Sequence, residues 1–204
     1  MRTMKFVMFV LCAVLVAGGS VLAAGLKLGD TEPMSATKMK NVDGRELSIA
    51  DTAGKNGTLV VFSCNHCPFV KGWESRISMI GNATLKNGVG VIAINPNDPE
   101  AYAEDRFEEM QKRAKERGFE FPYVVDATSD VARAFGATRT PECYLFDKAG
   151  KLVYHGAVDD NYANAAKADK HYLQDALDSL VAGKEIPVKE SKSVGCTIKF
   201  RAKG

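Results

Sequence analysis

No second Cys-x-x-Cys pair accompanies Cys64-Asn65-His66-Cys67, and the other cysteines stand singly, so a zinc site built from two such motifs is excluded. No face of clustered Lys and Arg interleaved with aromatics exists, and 27 basic residues stand against 25 acidic ones, which leaves no electrostatic footprint for nucleic acid. Beyond residue 23 no apolar run is long enough to cross a bilayer, so membrane contact is expected only through the N-terminal segment. No internal repeat or low-complexity block divides the chain, whose length suits one domain with a sizeable core.

What is present starts with a basic opening, Met1-Arg-Thr-Met-Lys5, followed by an apolar run from Phe6 to Ala17 and the small-residue stretch Gly18-Gly-Ser-Val-Leu-Ala23. That order is the one a secretory signal peptide needs, with Val21 and Ala23 at the −3 and −1 positions of the cleavage site. Cleavage would remove Arg2, Lys5 and Cys12 and leave basic and acidic residues equal at 25 each. The alternative is an uncleaved membrane anchor, against which the shortness of the apolar run argues. The expectation is therefore an exported protein, periplasmic or secreted. Its parts are a signal segment over 1–23, one domain over 24–186, and a C-terminal tail over 187–204 docked on that domain.

The two thiols of Cys64 and Cys67 follow the apolar run Thr58 to Phe62 and precede Pro68, which places them where a strand ends and a helix begins. Unpaired N–H groups and the positive end of the helix dipole stabilise an anion there, and only the thiolate form of cysteine is a strong nucleophile. A redox or nucleophilic role is the reading that this junction supports.

The rest alternates strand and helix. Asn41-Val-Asp-Gly44 marks a turn within an N-terminal hairpin over residues 37–49, and Leu59 to Phe62 reads as a strand covered on both faces. Pro68 opens a helix with Val70, Trp73, Ile77 and Ile80 as its buried stripe. Gly88 to Asn95 gives another buried strand, and a helix runs from about Tyr102 to Arg117, its charges Asp105 to Arg117 forming a solvated face. Phe121 to Asp126, Cys143 to Phe146 and Leu152 to His155 are strands, Ser129 to Phe135 is a short helix, and Tyr172 to Leu180 carries a last amphipathic helix. The class is α/β with a mixed sheet.

Several of these segments together resemble the peroxiredoxin-like group of the alkyl hydroperoxide reductase and thiol-specific antioxidant superfamily. They are Phe62-Ser-Cys-Asn-His-Cys-Pro68, Ala93-Ile-Asn-Pro-Asn-Asp98, Asp126 with Val131-Ala132 and Phe135-Gly136-Ala137, Thr140-Pro141, Gly150-Lys-Leu-Val-Tyr154 and Gly195-Cys-Thr-Ile-Lys199. The resemblance implies a thioredoxin-like fold: a central mixed β-sheet flanked by helices, with an N-terminal β-hairpin and a helical insertion between two strands. It also implies that Pro141 is the cis-proline facing the active-site thiol. In thioredoxins the attacking cysteine lies five residues after the strand's Phe, which points to Cys67 and leaves Val70 where the partner would stand. Peroxiredoxins likewise follow the peroxidatic cysteine with proline, as Pro68 follows Cys67, but they carry proline and a Thr or Ser hydroxyl where this chain has Val60 and Cys64. The rival register makes Cys64 the attacker and Cys67 its partner, with His66 before the second cysteine as in the Cys-Pro-His-Cys sites of periplasmic thiol oxidants. Spacing and Pro68 favour Cys67.

His66 either lowers a neighbouring thiol's pKa as an imidazolium or is a polar loop residue. Cys143, two residues beyond Pro141, reads as a small core side chain. Cys196 lies in a tail whose alternating run could add an edge strand; it is either a resolving or structural cysteine or a free thiol packed at that edge. Asp159-Asp160 with Asn161 could meet a hard cation but reads as a solvated loop. The function expected is thiol-disulfide exchange with disulfide-containing proteins, or peroxide reduction, through the Cys64/Cys67 pair, with a thiol reductant or oxidant as partner and no cofactor. Two other readings stand beside it: a copper-handling, Sco-like metallochaperone using His66, His155 or His171, and a silent binding module that keeps a structural disulfide.

Overall fold

The computed structural model describes residues 25–202, so the expected signal segment and its cleavage site lie outside the described residues. β1 (Met39–Asn41) and β2 (Glu46–Leu47) form the expected antiparallel hairpin, closed at Gly44, whose N–H bonds to Asn41 O and whose positive φ suits a residue without Cβ. β3 (Gly57–Phe62) is buried along its whole length and leads into α1 (Pro68–Lys86), after which β4 (Val89–Asn95) returns. Asn56 N and Ser63 N, at the two ends of β3, bond to Gly88 O and Ile94 O at the matching ends of β4, so the two strands run parallel, as a helical crossover requires. β5 (Tyr123–Val125) pairs parallel with β4 and antiparallel with β1; β7 (Glu142–Asp147) pairs antiparallel with β3 and with β8 (Leu152–Gly156). The result is one mixed sheet of seven strands in the order β2-β1-β5-β4-β3-β7-β8.

The period of two along β3 explains why its apolar run is continuous. Leu59 and Val61 face one side with Trp73, Ile77, Tyr123, Leu145 and Leu177, while Val60 and Phe62 face the other with Ile92, Ile94, Phe135 and Tyr144. α1 and α4 (Tyr172–Val181) cover the first side and α3 (Asp130–Phe135) the second. Val70, Trp73, Ile77 and Ile80 are the buried stripe of α1, each worth roughly 1.5–3 kcal/mol of transfer free energy.

Two expectations about charge are corrected. The helix over 102–117 is divided: a single 3-10 turn covers Ala103–Asp105, Arg106 is extended, and α2 spans Phe107–Glu116. Glu108, Glu109 and Lys112 are solvated, but Asp105 is buried, and Arg113 and Arg117 reach the buried Glu74 of α1 at 3.2 and 2.6 Å. Asp159 is not a solvated loop acid either. It is 3% exposed, accepts from Trp73 Nε1 at 2.6 Å and pairs with Arg76, because burying the indole N–H on α1 demands an acceptor.

The last two strands decide the site. β6 (Arg139–Thr140) and β9 (Cys196–Thr197) form a separate antiparallel ribbon with Thr140 opposite Cys196 and Arg139 opposite Thr197. The tail thus docks by adding a strand beside the Thr140–Pro141 peptide, which is cis.

Candidate active site

Three of the four described cysteines meet at the N-terminus of α1, and all are free thiols. Cys67 is the N-cap of α1, with extended backbone angles, and Pro68 occupies the first helical turn, where its missing N–H costs nothing. Cys64 precedes it in the loop leaving β3, and Cys196 arrives from β9. Cys64, Cys67 and Val70 form a small buried cluster against which Phe69 and Cys196 pack. Cys64 and Cys67 are 1% and 0% exposed, whereas Cys196 is half-buried.

Thr140, immediately before the cis bond, touches both inner sulfurs. Its Oγ1 lies 3.1 Å from Cys64 Sγ, and its carbonyl accepts from the Cys67 thiol at 3.1 Å. When Cys67 ionises, that donation is lost and donors take its place. The hydrogen bond from the Cys64 thiol is the largest influence; it outweighs the cost of burying the anion, and the Cys196 thiol and the N–H groups of Val70 and Cys196 add to it. Together they lower the Cys67 pKa to about 5. Cys64 moves the opposite way, well above the ordinary thiol value, through burial first, then its donation to Cys67 and the nearby charge of Asp105. Cys196 is pushed up to about 11 by burial and by its own donation to Cys67. One proton-poor sulfur is thus held by two proton-holding ones.

His66 turns away from this exchange. Its Nδ1 bonds to Asp105 Oδ2 at 2.7 Å, and its ring stacks on Tyr102 with centroids 3.7 Å apart. Asp105 is the anchor behind the Cys64–Cys67 loop: Oδ1 accepts from Asn65 N at 2.6 Å, and Oδ2 also accepts from Asn97 Nδ2 at 2.9 Å. Asn65 Oδ1 in turn accepts from the buried Tyr123 hydroxyl. Cys64, His66 and Asp105 bring a sulfur, a nitrogen and a carboxylate oxygen within 4.8 Å of one another. A metal ion there would compete with the three hydrogen bonds that the Asp105 carboxylate already makes, and the most acidic sulfur, Cys67, lies outside the set.

Of the residues expected at the site, Cys64, Cys67 and Cys196 meet here beside the Thr140–Pro141 loop, while His66 turns to Asp105; Thr140 and Asp105 were not among the expected residues. Thr140 was visible only as the residue before Pro141. Asp105 carried no local signal, since one acid in a charged run looks like its neighbours.

The AhpC/TSA family profile matches residues 31–155 of this chain. The chain belongs to the AhpC/TSA family. Its fold is thioredoxin-like, as the sheet and the cis-proline loop beside the α1 N-terminus also indicate. An uncharacterized conserved protein of Geobacillus kaustophilus is similar, at 38% identity, over 87% of this chain and 94% of that one, with a TM-score of 0.81. A hypothetical protein of Sinorhizobium meliloti 1021 is similar at 31% identity over 88% and 98% of the two chains, also with a TM-score of 0.81. The thiol-disulfide oxidoreductase ResA of Geobacillus thermodenitrificans is 28% identical over 114 residues, 56% of this chain. The match spans only 61% of that relative's length. In this chain Cys64 faces the Thr140 hydroxyl, and β9 brings a third thiol to the site.

Proposed function

We propose that this member of the AhpC/TSA family is an exported thiol-disulfide oxidoreductase whose Cys64 and Cys67 form the redox pair. The observation that carries the reading is the placement of two neighbouring thiols at one helix N-terminus, Cys67 as the N-cap of α1 and Cys64 packed beside it, both touching Thr140; the lowered pKa of Cys67 and the raised one of Cys64 agree with it. Relatives named as thiol-disulfide oxidoreductases support the same class.

The Cys67 thiolate attacks one sulfur of a substrate disulfide; the Cys67–substrate bond forms, the substrate's S–S bond breaks, and one substrate thiolate leaves and takes a proton. Cys64 then gives up its proton and attacks the Cys67 sulfur, releasing the second substrate thiol and leaving a Cys64–Cys67 disulfide. Two protein thiols are oxidised and one substrate disulfide is reduced. Thr140 contacts both sulfurs from the Pro141 loop, and the His66–Asp105 pair fixes the loop that carries Cys64.

Peroxide reduction is the slower variant of this chemistry. A low pKa supplies the thiolate, but peroxide must also be oriented, and the Thr140 hydroxyl at the site is engaged with Cys64. Insulin reduction and hydrogen-peroxide consumption, assayed side by side, test the reading: exchange is expected to dominate. Peroxide turnover faster than exchange, lost in Cys67→Ser and kept in Cys64→Ser, would overturn it. Export rests on the N-terminal signal pattern, and the intact mass of protein from its native host is expected to lack residues 1–23.

A further inference from the structure

Glu142, the first residue of β7, follows directly on the Thr140–Pro141 peptide and is 3% exposed. A carboxylate buried at the start of a core strand is costly unless donors meet its oxygens, and here both are met. Oε2 turns back over the loop and accepts from the N–H groups of Thr138 and Arg139, each at 2.9 Å. Oε1 lies 2.8 Å from Nε2 of His155 on β8 and accepts from Ser193 Oγ at 3.3 Å. The His155 ring is itself fixed, stacked on Tyr144 with centroids 4.4 Å apart. Burial acts to raise the Glu142 pKa, but the His155 hydrogen bond and the two N–H groups outweigh it and hold the group below its ordinary value, so it stands there as an anion. The bonds to Thr138 and Arg139 close residues 138–142 into a ring that carries Thr140. That residue's hydroxyl lies 3.1 Å from Cys64 Sγ. Burial, the donation to Cys67 and the Asp105 charge hold the Cys64 thiol well above its ordinary value, and the Thr140 hydroxyl pulls the other way. Once Cys64 gives up its proton, that hydroxyl is the donor left in the contact.

We propose that Glu142, held in place by His155, is a positioning residue of the redox centre: it fixes the Thr140 hydroxyl where it donates to the Cys64 sulfur as that sulfur attacks the mixed disulfide on Cys67. This rests on the Cys64/Cys67 pair being the redox pair, and it assigns Glu142 to the second half of the exchange. The first half, attack by the Cys67 thiolate, draws on other donors, the Cys64 thiol first among them, and is indifferent to the hydroxyl. Glu142 touches neither sulfur's substrate and moves no proton. Its effect passes through Thr140, because a carboxylate that lets go of residues 138 and 139 frees the ring that carries the hydroxyl.

A disulfide whose two halves report the two steps separately tests this. With dithiobis(nitrobenzoate), attack by the Cys67 thiolate forms a mixed disulfide and releases one thionitrobenzoate. Attack by Cys64 on the Cys67 sulfur then forms the Cys64–Cys67 disulfide and releases the second, so the reagent is reduced and two protein thiols are oxidised. Every protein compared carries Cys196→Ser, which leaves Cys64 as the thiol at the site that can resolve. Glu142→Gln keeps the side chain's size but has one acceptor oxygen in place of two. It is expected to slow the second release about tenfold and the first by less than about twofold. Thr140→Val is expected to slow the second release likewise, and adding Glu142→Gln to it to cost nothing further. His155→Gln, whose amide can still donate to Glu142, is expected to resolve faster than His155→Leu; this pair carries the test if thermal melts show that Glu142→Gln folds poorly. Equal slowing of both releases or an unslowed second release in folded Glu142→Gln, a loss that adds to that of Thr140→Val, or equal rates in the two His155 variants overturns the proposal while the redox pair stands. If the parent releases a single thionitrobenzoate and peptide mapping finds no Cys64–Cys67 disulfide, the underlying reading fails instead.

Discussion

Cys67 at the N-terminus of α1 and Cys143 in the middle of β7 are equally hidden, each 0% exposed, yet their sulfurs are opposite in chemistry. Burial alone should raise both, and in Cys143 it does, with the charge of Glu142 adding to the rise. Cys143 is paired on both sides within the sheet, opposite Val61 and Gly156, so its neighbours are a saturated backbone and apolar side chains. Cys67 sits where a helix begins and a loop and a tail converge, and thiol and amide donors outweigh the same cost. Reactivity in this fold is set by which donors a buried sulfur meets, not by its depth.

The harshest way to break the comparison is to exchange the roles of the two sites. Cys67→Ala is expected to reduce disulfide exchange to background. Cys143→Ala is expected to leave the exchange rate at the wild-type level and to destabilise the fold by about 1–2 kcal/mol through a small cavity. Insulin-reduction assays and denaturant melts of the two variants read both effects, and an exchange defect in folded Cys143→Ala would erase the distinction.

A smaller effect appears in pH dependence. Alkylation of Cys67 in the reduced protein is expected to titrate with a midpoint near pH 5, while Cys143 stays unreactive until the protein unfolds. In Cys64→Ala the midpoint of Cys67 should rise, since its main donor is gone. The same shift acts on stability. The folded pKa of Cys67 lies below that of an unfolded thiol, so its contribution is complete above the unfolded value near 9 and is lost as pH falls through about 5. Between those limits reduced wild type should gain stability over Cys67→Ala as pH rises, which melts across the range would show. Parallel curves would mean that the Cys67 pKa is not depressed.

The mildest change, Asp105→Asn, sharpens the comparison. It removes a charge that helps keep Cys64 protonated and leaves Cys143 untouched, so the alkylation midpoint of Cys64 should fall while that of Cys143 does not move. Peptide-resolved alkylation against pH checks this, and an unchanged Cys64 midpoint would show that the carboxylate acts only as an anchor for the loop.

Much of the scaffold was legible because it is written in local periodicity. The stripe Val70, Trp73, Ile77 and Ile80, the turn at Asn41 to Gly44 and the continuous run in β3 each encode one element within a few residues. The buried carboxylates were not legible. Asp105 and Asp159 look like surface acids in the sequence, and only their partners elsewhere in the chain, His66 and Asn97 for one, Trp73 and Arg76 for the other, make burial tolerable.

By itself the sequence determined the order of strands and helices, the junction that places Cys67 beside Pro68, and the presence of a thiol in an alternating C-terminal run. Those follow from side-chain period and from backbone restrictions that act over a few residues. Only the tertiary structure decided which sulfurs meet, because Thr140 and Cys196 reach Cys67 through strand pairing across 73 residues and more, and no local pattern records such a contact. The acidity of Cys67 belongs to that second class: the chain supplies the thiols, and folding brings the donors to one of them.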